Sequence, residues 1–264
     1  ENSLLKRNAA LNNTATMGNF LNNHDDDTLQ ELLVKKSGIS EEEAYNLMKV
    51  AATLQITAKG QPIIYYGDEL GQAGANDWPY QTNRRDFDWK GLEAQKTDSN
   101  SIYNHYKTML SIRNAYTDVF ARGSRTSVVS SDETGYDVIA RSYGDTTLYV
   151  GMNIKKKATE VTIPVSAEAG SKMENLYDGN EYTVSADKTV TVSIPAAKDG
   201  GTVILTEVKK TVDPTPADPG KKDPTPTPVK KDGVISVTDK AAIKTKKAAP
   251  KSGDDNEAAT YVCL

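Results

Sequence analysis

The sequence predicts an α/β segment, then an all-β antiparallel sandwich, then a Pro- and Lys-rich disordered tail. Three observations predict this order. Helix-periodic segments alternate with short apolar runs up to about Tyr116, short strand-like runs recur from Gly123 to Val208, and a proline-rich stretch leads into a Lys- and Ala-rich end. In the first zone, Met17–Asn22 reads as a buried strand running into polar residues. Ser40-Glu41-Glu42-Glu43 has the form of a capping box, in which a hydroxyl and a carboxylate satisfy amides at a helix start. Ala44, Leu47, Met48, Ala51 and Leu54 then recur at helical spacing until Lys59-Gly60 closes the segment. Gln61–Tyr66 follows as a second short buried strand. Ser101 opens a second helix through Asn114, with Ile102, Tyr106, Met109 and Leu110 on one face. Strand, helix, strand, helix is the signature of a parallel sheet buried on both faces.

From Gly123 onward the runs TSVVS, YDVIARSY, TTLYVGMN, TEVTIPV, EYTV, TVTVSIP and GTVILTEV are separated by turn signals such as Asp132-Glu133-Thr134-Gly135, Gly144-Asp145 and Asp178-Gly179-Asn180. This regularity predicts an antiparallel sandwich. Beyond it the prolines of VDPTPADPGKKDPTPTPV favour an extended spacer, and the remaining Lys/Ala-rich stretch cannot build a core. The charge changes sign at this point. Residues 1–207 carry 21 Lys+Arg against 28 Asp+Glu, whereas residues 208–251 carry 11 Lys against 5 Asp. The acidic balance argues against a nucleic-acid partner, which requires a basic face. The single cysteine, Cys263, leaves no disulfide framework and no cysteine-based metal site, which fits a cytosolic protein or a bacterial secreted one. The chain starts at Glu1 with no apolar leader and stops as Tyr261-Val262-Cys263-Leu264 turns apolar, so it reads as a fragment.

Two segments carry chemistry. In Asn19-Phe20-Leu21-Asn22-Asn23-His24-Asp25 a histidine and a carboxylate sit together where a buried strand enters a loop. At the end of a parallel strand an Asp can stabilise developing positive charge, and a neighbouring His can donate to a substrate hydroxyl. The same residues also suit an Asx-type turn followed by a solvated run, Asp25-Asp26-Asp27. In Gly60-Gln61-Pro62-Ile63-Ile64-Tyr65-Tyr66-Gly67-Asp68-Glu69-Leu70-Gly71 two glycines bracket two carboxylates after a strand, which on its own is a strand and a turn. Trp78, Tyr80 and Trp89 lie in the Asn- and Asp-rich region that follows. Such rings either stack on sugar faces or close a small loop core. Tyr65 and Tyr66 read as packing residues.

Together, the NFLNNHD and GQPIIYYGDELG segments resemble the alpha-amylase family of glycoside hydrolases, at that family's seventh and eighth barrel strands. Asn83-Arg84-Arg85-Asp86-Phe87-Asp88-Trp89 falls where many members carry Arg-x-Pro-Met-x-Trp, with Asp86 and Phe87 departing from the pattern. The resemblance covers about residues 1–208. It implies the final β/α units of a TIM barrel over 1–120, a C-terminal β-sandwich over 121–208, a Pro-rich linker over 209–232 and a disordered tail over 233–264. Two barrel strands of eight leave open edges, so residues 1–120 are expected to be loosely ordered alone, and residues 121–208 have the better prospect of folding by themselves.

The resemblance also implies roles. Family members cleave α-glucosidic bonds with retention, using a nucleophilic carboxylate and an acid roughly 5 Å apart. A third carboxylate supports the oxocarbenium-like transition state, and that residue matches Asp25. His24 matches the histidine that contacts the reacting sugar, and Asn23 orients the loop. Arg84 is either a substrate contact or a surface arginine paired with a nearby Asp, and Trp78 is a candidate stacking residue. The nucleophile and acid belong to earlier strands and are not found here. Gly123-Ser124-Arg125-Thr126-Ser127 mimics the nucleophile's motif but ends in Ser and follows the barrel. No cofactor or metal is expected in this segment, and the calcium of many members would be held by earlier segments.

The expected function is thus a fragment of a retaining hydrolase acting on starch-like α-glucans, inactive alone. The alternatives are a catalytically dead glucan- or cell-wall-binding module, or a family transglycosylase or debranching enzyme; bond type stays open. Ala249-Pro250-Lys251-Ser252-Gly253-Asp254-Asp255-Asn256 resembles a sortase sorting signal, with Ala for Leu and Ser for Thr. Sortase would cut after Ser252 and join the chain to peptidoglycan. That implies an extracellular protein anchored to a Gram-positive cell wall; an ordinary disordered or frameshifted end is the alternative.

Overall fold

The computed structural model describes Lys6 and residues 18–208. The chain divides into a unit Glu1–Thr211 and a unit Val212–Leu264, the second lying outside the described residues. The expectations for Met17, for the linker 209–232 and for the tail 233–264 with its sorting-like segment also fall outside them.

Strand β1 (Gly18–Asn19) pairs in parallel with β2 (Gln61–Pro62), Gly18 opposite Gln61 and Asn19 opposite Pro62. Helices α1 (Leu29–Ser37) and α2 (Glu41–Thr57) lie between them in sequence, so this is a β-α-β crossover. Gln55 of α2 secures the pair, its amide donating to the carbonyls of Asn19 at 2.9 Å and Ile63 at 2.8 Å. Both strands are shorter than their apolar runs predict. Past Asn19 and Pro62 the chain leaves the ladder for loops that side chains, rather than strand neighbours, hold in place. Ser40 caps α2 as the sequence predicts, accepting from the Glu43 amide at 3.1 Å. The carboxylate half of the capping box is diverted, since Glu43 pairs with Lys156 at 3.0 Å.

Three further helices follow: α3 (Trp89–Thr97), capped by Asp88; α4 (Ile102–Ala115), capped by Ser101; and α5 (Thr117–Arg122). Then come β3 (Ser124–Ser131), β4 (Tyr136–Tyr143), β5 (Thr146–Asn153), β6 (Thr159–Pro164), β7 (Lys172–Asn175), β8 (Glu181–Thr183), β9 (Thr189–Ile194) and β10 (Thr202–Glu207). They form two antiparallel sheets, one ordered β3-β4-β5-β10-β7-β8 and the other β6-β9. The runs YDVIARSY and TTLYVGMN correspond to β4 and β5. Strand β7, with sequence KMEN, gives no apolar signal, since Met173 is the one apolar residue of its four.

Two apolar clusters hold this arrangement. One lies between the two sheets and includes Val138, Tyr149, Val161, Ile163, Val190, Val192, Ile194, Val203 and Leu205. The other lies on the opposite face of the six-stranded sheet. There Ile139, Leu148, Val150, Met152 and Ile204 pack with Met48, Ala52 and Ile56 of α2, Tyr106 and Met109 of α4, and Val119 and Phe120 of α5. Alternate residues of β4, β5 and β10 thus enter different cores. The apolar core is continuous across residue 120, and the second face of the sheet lies against the helices rather than toward water.

Two buried arginines stitch this junction. Arg141 of β4 is fully buried. Its guanidinium donates to the carbonyls of Ser124 at 2.9 Å, Val119 at 3.1 Å, Phe120 at 2.8 Å and Gly123 at 3.1 Å, and to that of Thr57. Arg113 of α4 donates to Ala58 at 3.1 Å and to Ile56 and Gly60. Most of these carbonyls lie at or just past the C-terminal ends of α2 and α5, where C=O groups carry negative partial charge. Burial still weakens both cations, lowering Arg141 to about 9 and Arg113 to about 10. Nearby, the buried His105 of α4 bonds Tyr177 at 2.6 Å and Thr53 of α2 at 3.1 Å, and Thr53 bonds Thr202 of β10 at 2.7 Å.

Replacing Arg141 by Met removes the donor from this set of buried carbonyls. Urea unfolding is expected to show a loss of about 3 kcal/mol, with Arg141→Lys less affected because charge remains but the planar fork is gone. Burial, then the nearby Lys49 charge, pushes His105 down to about 3. An unfolded histidine takes up its proton near pH 6.5, whereas the folded one refuses it until about 3. Stability should therefore fall as pH drops through that window. His105→Gln should flatten this part of the pH–stability curve measured by chemical unfolding.

Candidate active site

The candidate residues lie on the loop between β1 and α1. Asn22, at its start, is buried; its side-chain carbonyl accepts from the Leu29 amide at 2.6 Å and its NH2 donates to the Asp68 carboxylate. One residue on, the Asn23 side chain accepts from the amides of Asp25 at 2.6 Å and Asp26 at 3.1 Å and donates to the Asp26 carboxylate at 2.8 Å. The Asx turn weighed against a functional loop is thus present, built by Asn23, and it is what presents the next two side chains to solvent.

Those side chains are His24 and Asp25. His24 Nε2 lies 3.3 Å from Asp25 Oδ1, and the side chains are 64% and 70% exposed. Arg84 joins them, with Nη2 at 3.6 Å from Asp25 Oδ1 and Nε donating to the His24 carbonyl at 2.9 Å. Arg84 therefore does pair with a nearby Asp, and that Asp is the candidate catalytic carboxylate. Beneath them, the buried Asn83 donates to the carbonyls of His24 and Asp26, both at 3.0 Å. Asn76 donates its backbone N–H to Asp27 at 2.7 Å and its side-chain amide to the Asp25 carbonyl. The Asn76 amide, followed by Lys35 at 3.0 Å, lowers the Asp27 pKa. The loop is held from two sides, while the tip carboxylate stays exposed between His24 and Arg84.

Trp78 is 83% exposed, which removes loop packing as its role. Trp89 is 61% exposed and meets Phe87 edge-on at a 4.7 Å ring separation. Tyr65 and Tyr66 do more than pack: their hydroxyls donate to the carbonyls of Asn83 at 3.1 Å and Arg85 at 3.0 Å, tying the strand end to the loop.

Sequence reasoning missed Asp68. It follows Gly67 and opens the 3-10 turn Asp68–Leu70 that Gly71 ends, both glycines at positive φ, 94° and 69°. A side chain at Gly71 would also strike Ile102 and Tyr45. Asp68 is buried, and one carboxylate oxygen has no hydrogen-bond partner among the described residues. The signal was present as the glycine-bracketed carboxylates, but nothing in the spacing linked them to Asn22. Burial raises Asp68 from 3.8 to about 6, against the lowering effect of the Asn22 bond. Among the described residues no group of three or more His, Cys, Asp or Glu is gathered to hold a metal ion.

Residues 1–90 match the family model described as "Alpha amylase, catalytic domain". The chain is 30% identical over 148 residues to the cyclomaltodextrinase of Geobacillus thermopakistaniensis (strain MAS1), covering 56% of this chain and 24% of that protein. It is 31% identical over 197 residues to the amylopullulanase of Thermoanaerobacter thermohydrosulfuricus, covering 65% of this chain and 12% of that one. Among solved structures, the alpha-amylase of Geobacillus thermoleovorans, complexed with acarbose, aligns at TM-score 0.63 and 21% identity, over 80% of this chain and 43% of that one. An Anoxybacillus alpha-amylase aligns at TM-score 0.59 and 22% identity, over 78% and 41%. The fold is therefore shared with part of solved alpha-amylases, and the chain spans a quarter or less of the length of these two curated relatives.

Folded Asp68 keeps its proton up to about pH 6, whereas an unfolded one releases it near 3.8. Its contribution favours the fold below 3.8 and is lost as pH rises to 6. Asp68→Asn, which still offers Asn22 an acceptor, should raise stability at pH 7 and remove that decline, read by urea unfolding across pH 4–7.

Proposed function

We propose that this chain is the C-terminal part of a retaining α-glucan hydrolase of the alpha-amylase type, supplying the last two β/α units of its barrel and the sheets that follow. The observation that carries this reading is the exposed Asp25 carboxylate set between His24 and Arg84, within the segment that matches the catalytic-domain model. Retaining chemistry passes through an oxocarbenium-like transition state with positive charge spread over the sugar ring, and a carboxylate fixed beside it lowers that barrier. Asp25 takes this role. Arg84 orients the carboxylate and His24 donates to a hydroxyl of the reacting sugar. Asn23 and Asn83 hold the loop in place, so little reorganisation is required when the glucan arrives.

The nucleophile and general acid come from chain outside this sequence, so the chain is inert on its own; calcium, where the longer protein uses it, is held by other segments too. Trp78, exposed beside the loop, stacks against a further sugar. The Ala249–Asn256 segment and the Pro-rich spacer before it support display on a Gram-positive cell wall through sortase, with peptidoglycan as the covalent partner.

Starch and maltooligosaccharide hydrolysis, measured for this chain, for the longer gene product and for its Asp25→Asn variant, tests the reading. The expected result is an inert chain, an active longer product and a kcat at least about 10²-fold lower in the variant. Hydrolysis by this chain alone, or an unchanged rate in Asp25→Asn, overturns it. A longer product that binds glucan without cleaving it would make the protein a binding module.

A further inference from the structure

The loop that carries His24 and Asp25 is closed at its base by one side chain. Asn22 and Leu29 are seven residues apart, and the Leu29 amide donates to the Asn22 side-chain carbonyl at 2.6 Å. Leu29 opens α1, so its N–H is one of the donors that a helix start leaves without an internal partner. Thr28, at the N-cap, takes up none of these donors with its side chain; its hydroxyl accepts from the Gly74 amide instead, at 2.9 Å. Asn22 thus caps α1 from across the loop.

The partner on the other side of Asn22 is Asp68. An asparagine side chain can turn over, exchanging donor for acceptor with almost no change of shape. An ionised carboxylate only accepts, so it keeps the Asn22 NH2 on its own side and leaves the carbonyl facing Leu29. Both side chains are buried, so water does not replace either bond. We propose that Asp68 is a positioning residue: its negative charge fixes the direction of the Asn22 amide and so locks the base of the loop that presents His24 and Asp25. The effect on rate rests on the α-glucan reading of that loop, whereas the lock itself does not.

The charge matters because a neutral Asp68 can face Asn22 with either its C=O or its O–H. With the C=O, the proton sits on the oxygen that has no partner among the described residues, a buried donor left unmade. With the O–H, Asn22 has to turn over and set its NH2 against the Leu29 N–H. Either way the lock loosens. The titratable groups that face Asp68 are Glu69 on the same turn, Tyr65 just before it and Tyr106 of α4. Burial raises both tyrosines, which stay uncharged, and burial with Glu69 adding to it lifts Asp68 to about 6. The lock is therefore complete above that pH and is lost as pH falls through it.

The test pairs Asp68→Asn and Asn22→Asp with the double variant, in which amide and carboxylate exchange places. There the carboxylate sits on the loop and accepts from both Leu29 and the amide at position 68. The protection factor of the Leu29 amide, read by NMR hydrogen exchange on this chain at about pH 7.5, should fall at least about tenfold in each single variant. In the double variant it should return to within about threefold of the unaltered chain. Val150, buried in β5, reports the fold as a whole and should keep its protection in Asp68→Asn and in the double variant. In the longer gene product, the kcat ratio of unaltered enzyme to Asp68→Asn on maltoheptaose should be about tenfold at pH 7.5 and close to about twofold at pH 5. Unchanged Leu29 protection in Asp68→Asn, a double variant no better than the singles, or an equal loss at Val150 overturns the proposal. So does a rate ratio that ignores pH in an active longer product. A longer product inert on glucan overturns the hydrolase reading instead, and Leu29 protection then decides the lock alone.

Discussion

The architecture depends on a positive charge buried where helices end. Arg141 stands in the middle of a β-sheet, yet its donors go to carbonyls from the ends of α2 and α5 and the start of β3. A guanidinium can satisfy five acceptors in one plane, which a lysine cannot, and here most acceptors are carbonyls at or just past helix C-termini. Arg113 does the same one turn away for the chain leaving α2 toward β2. Neither cation has a carboxylate partner in these bonds. The charge is spread over main-chain dipoles instead, and so it fixes where helices stop relative to the sheet.

That junction reaches the candidate site through α2. The helix sits against the sheet on one side, and on the other its Gln55 bonds the carbonyls of Asn19 and Ile63, where β1 and β2 hand over to their loops. From there the order passes to side chains: Asn22 to Asp68, Asn23 to its own following amides, Asn83 and Asn76 to the carbonyls of residues 24–26. Asparagine recurs because one side chain offers a donor and an acceptor to a backbone that has left its strand. The short observed strands and the asparagine-rich sequence after β1 are two views of the same substitution of side-chain for ladder bonds.

Much of this was legible beforehand, and the exceptions have physical causes. Ser40 and Ser101 as caps, β4 and β5 as strands, and His24 beside Asp25 follow from local patterns that a single segment contains. What could not be read were pairings between distant segments. Nothing near Arg141 announces that a charged residue in an apolar strand will face three separate groups of carbonyls, although alternation places it on the face of Ile139. Asp68 and Asn22 are 46 residues apart, so their bond has no sequence periodicity. Helices α1, α3 and α5 are short, 9, 9 and 6 residues, which leaves little periodicity to read and is below the length at which an isolated helix holds.

The strand order β3-β4-β5-β10-β7-β8 has a consequence for how the molecule is made. The strand that completes the sheet comes last among the described strands yet sits in its middle, bonded to β5 on one side and β7 on the other. Until Thr202–Glu207 has emerged from the ribosome, the β3-β4-β5 and β7-β8 halves have no seam between them, and both apolar cores lack a wall. A nascent chain stopped short of Glu207 would carry two half-sheets with open edges, the kind of species chaperones hold and proteases remove.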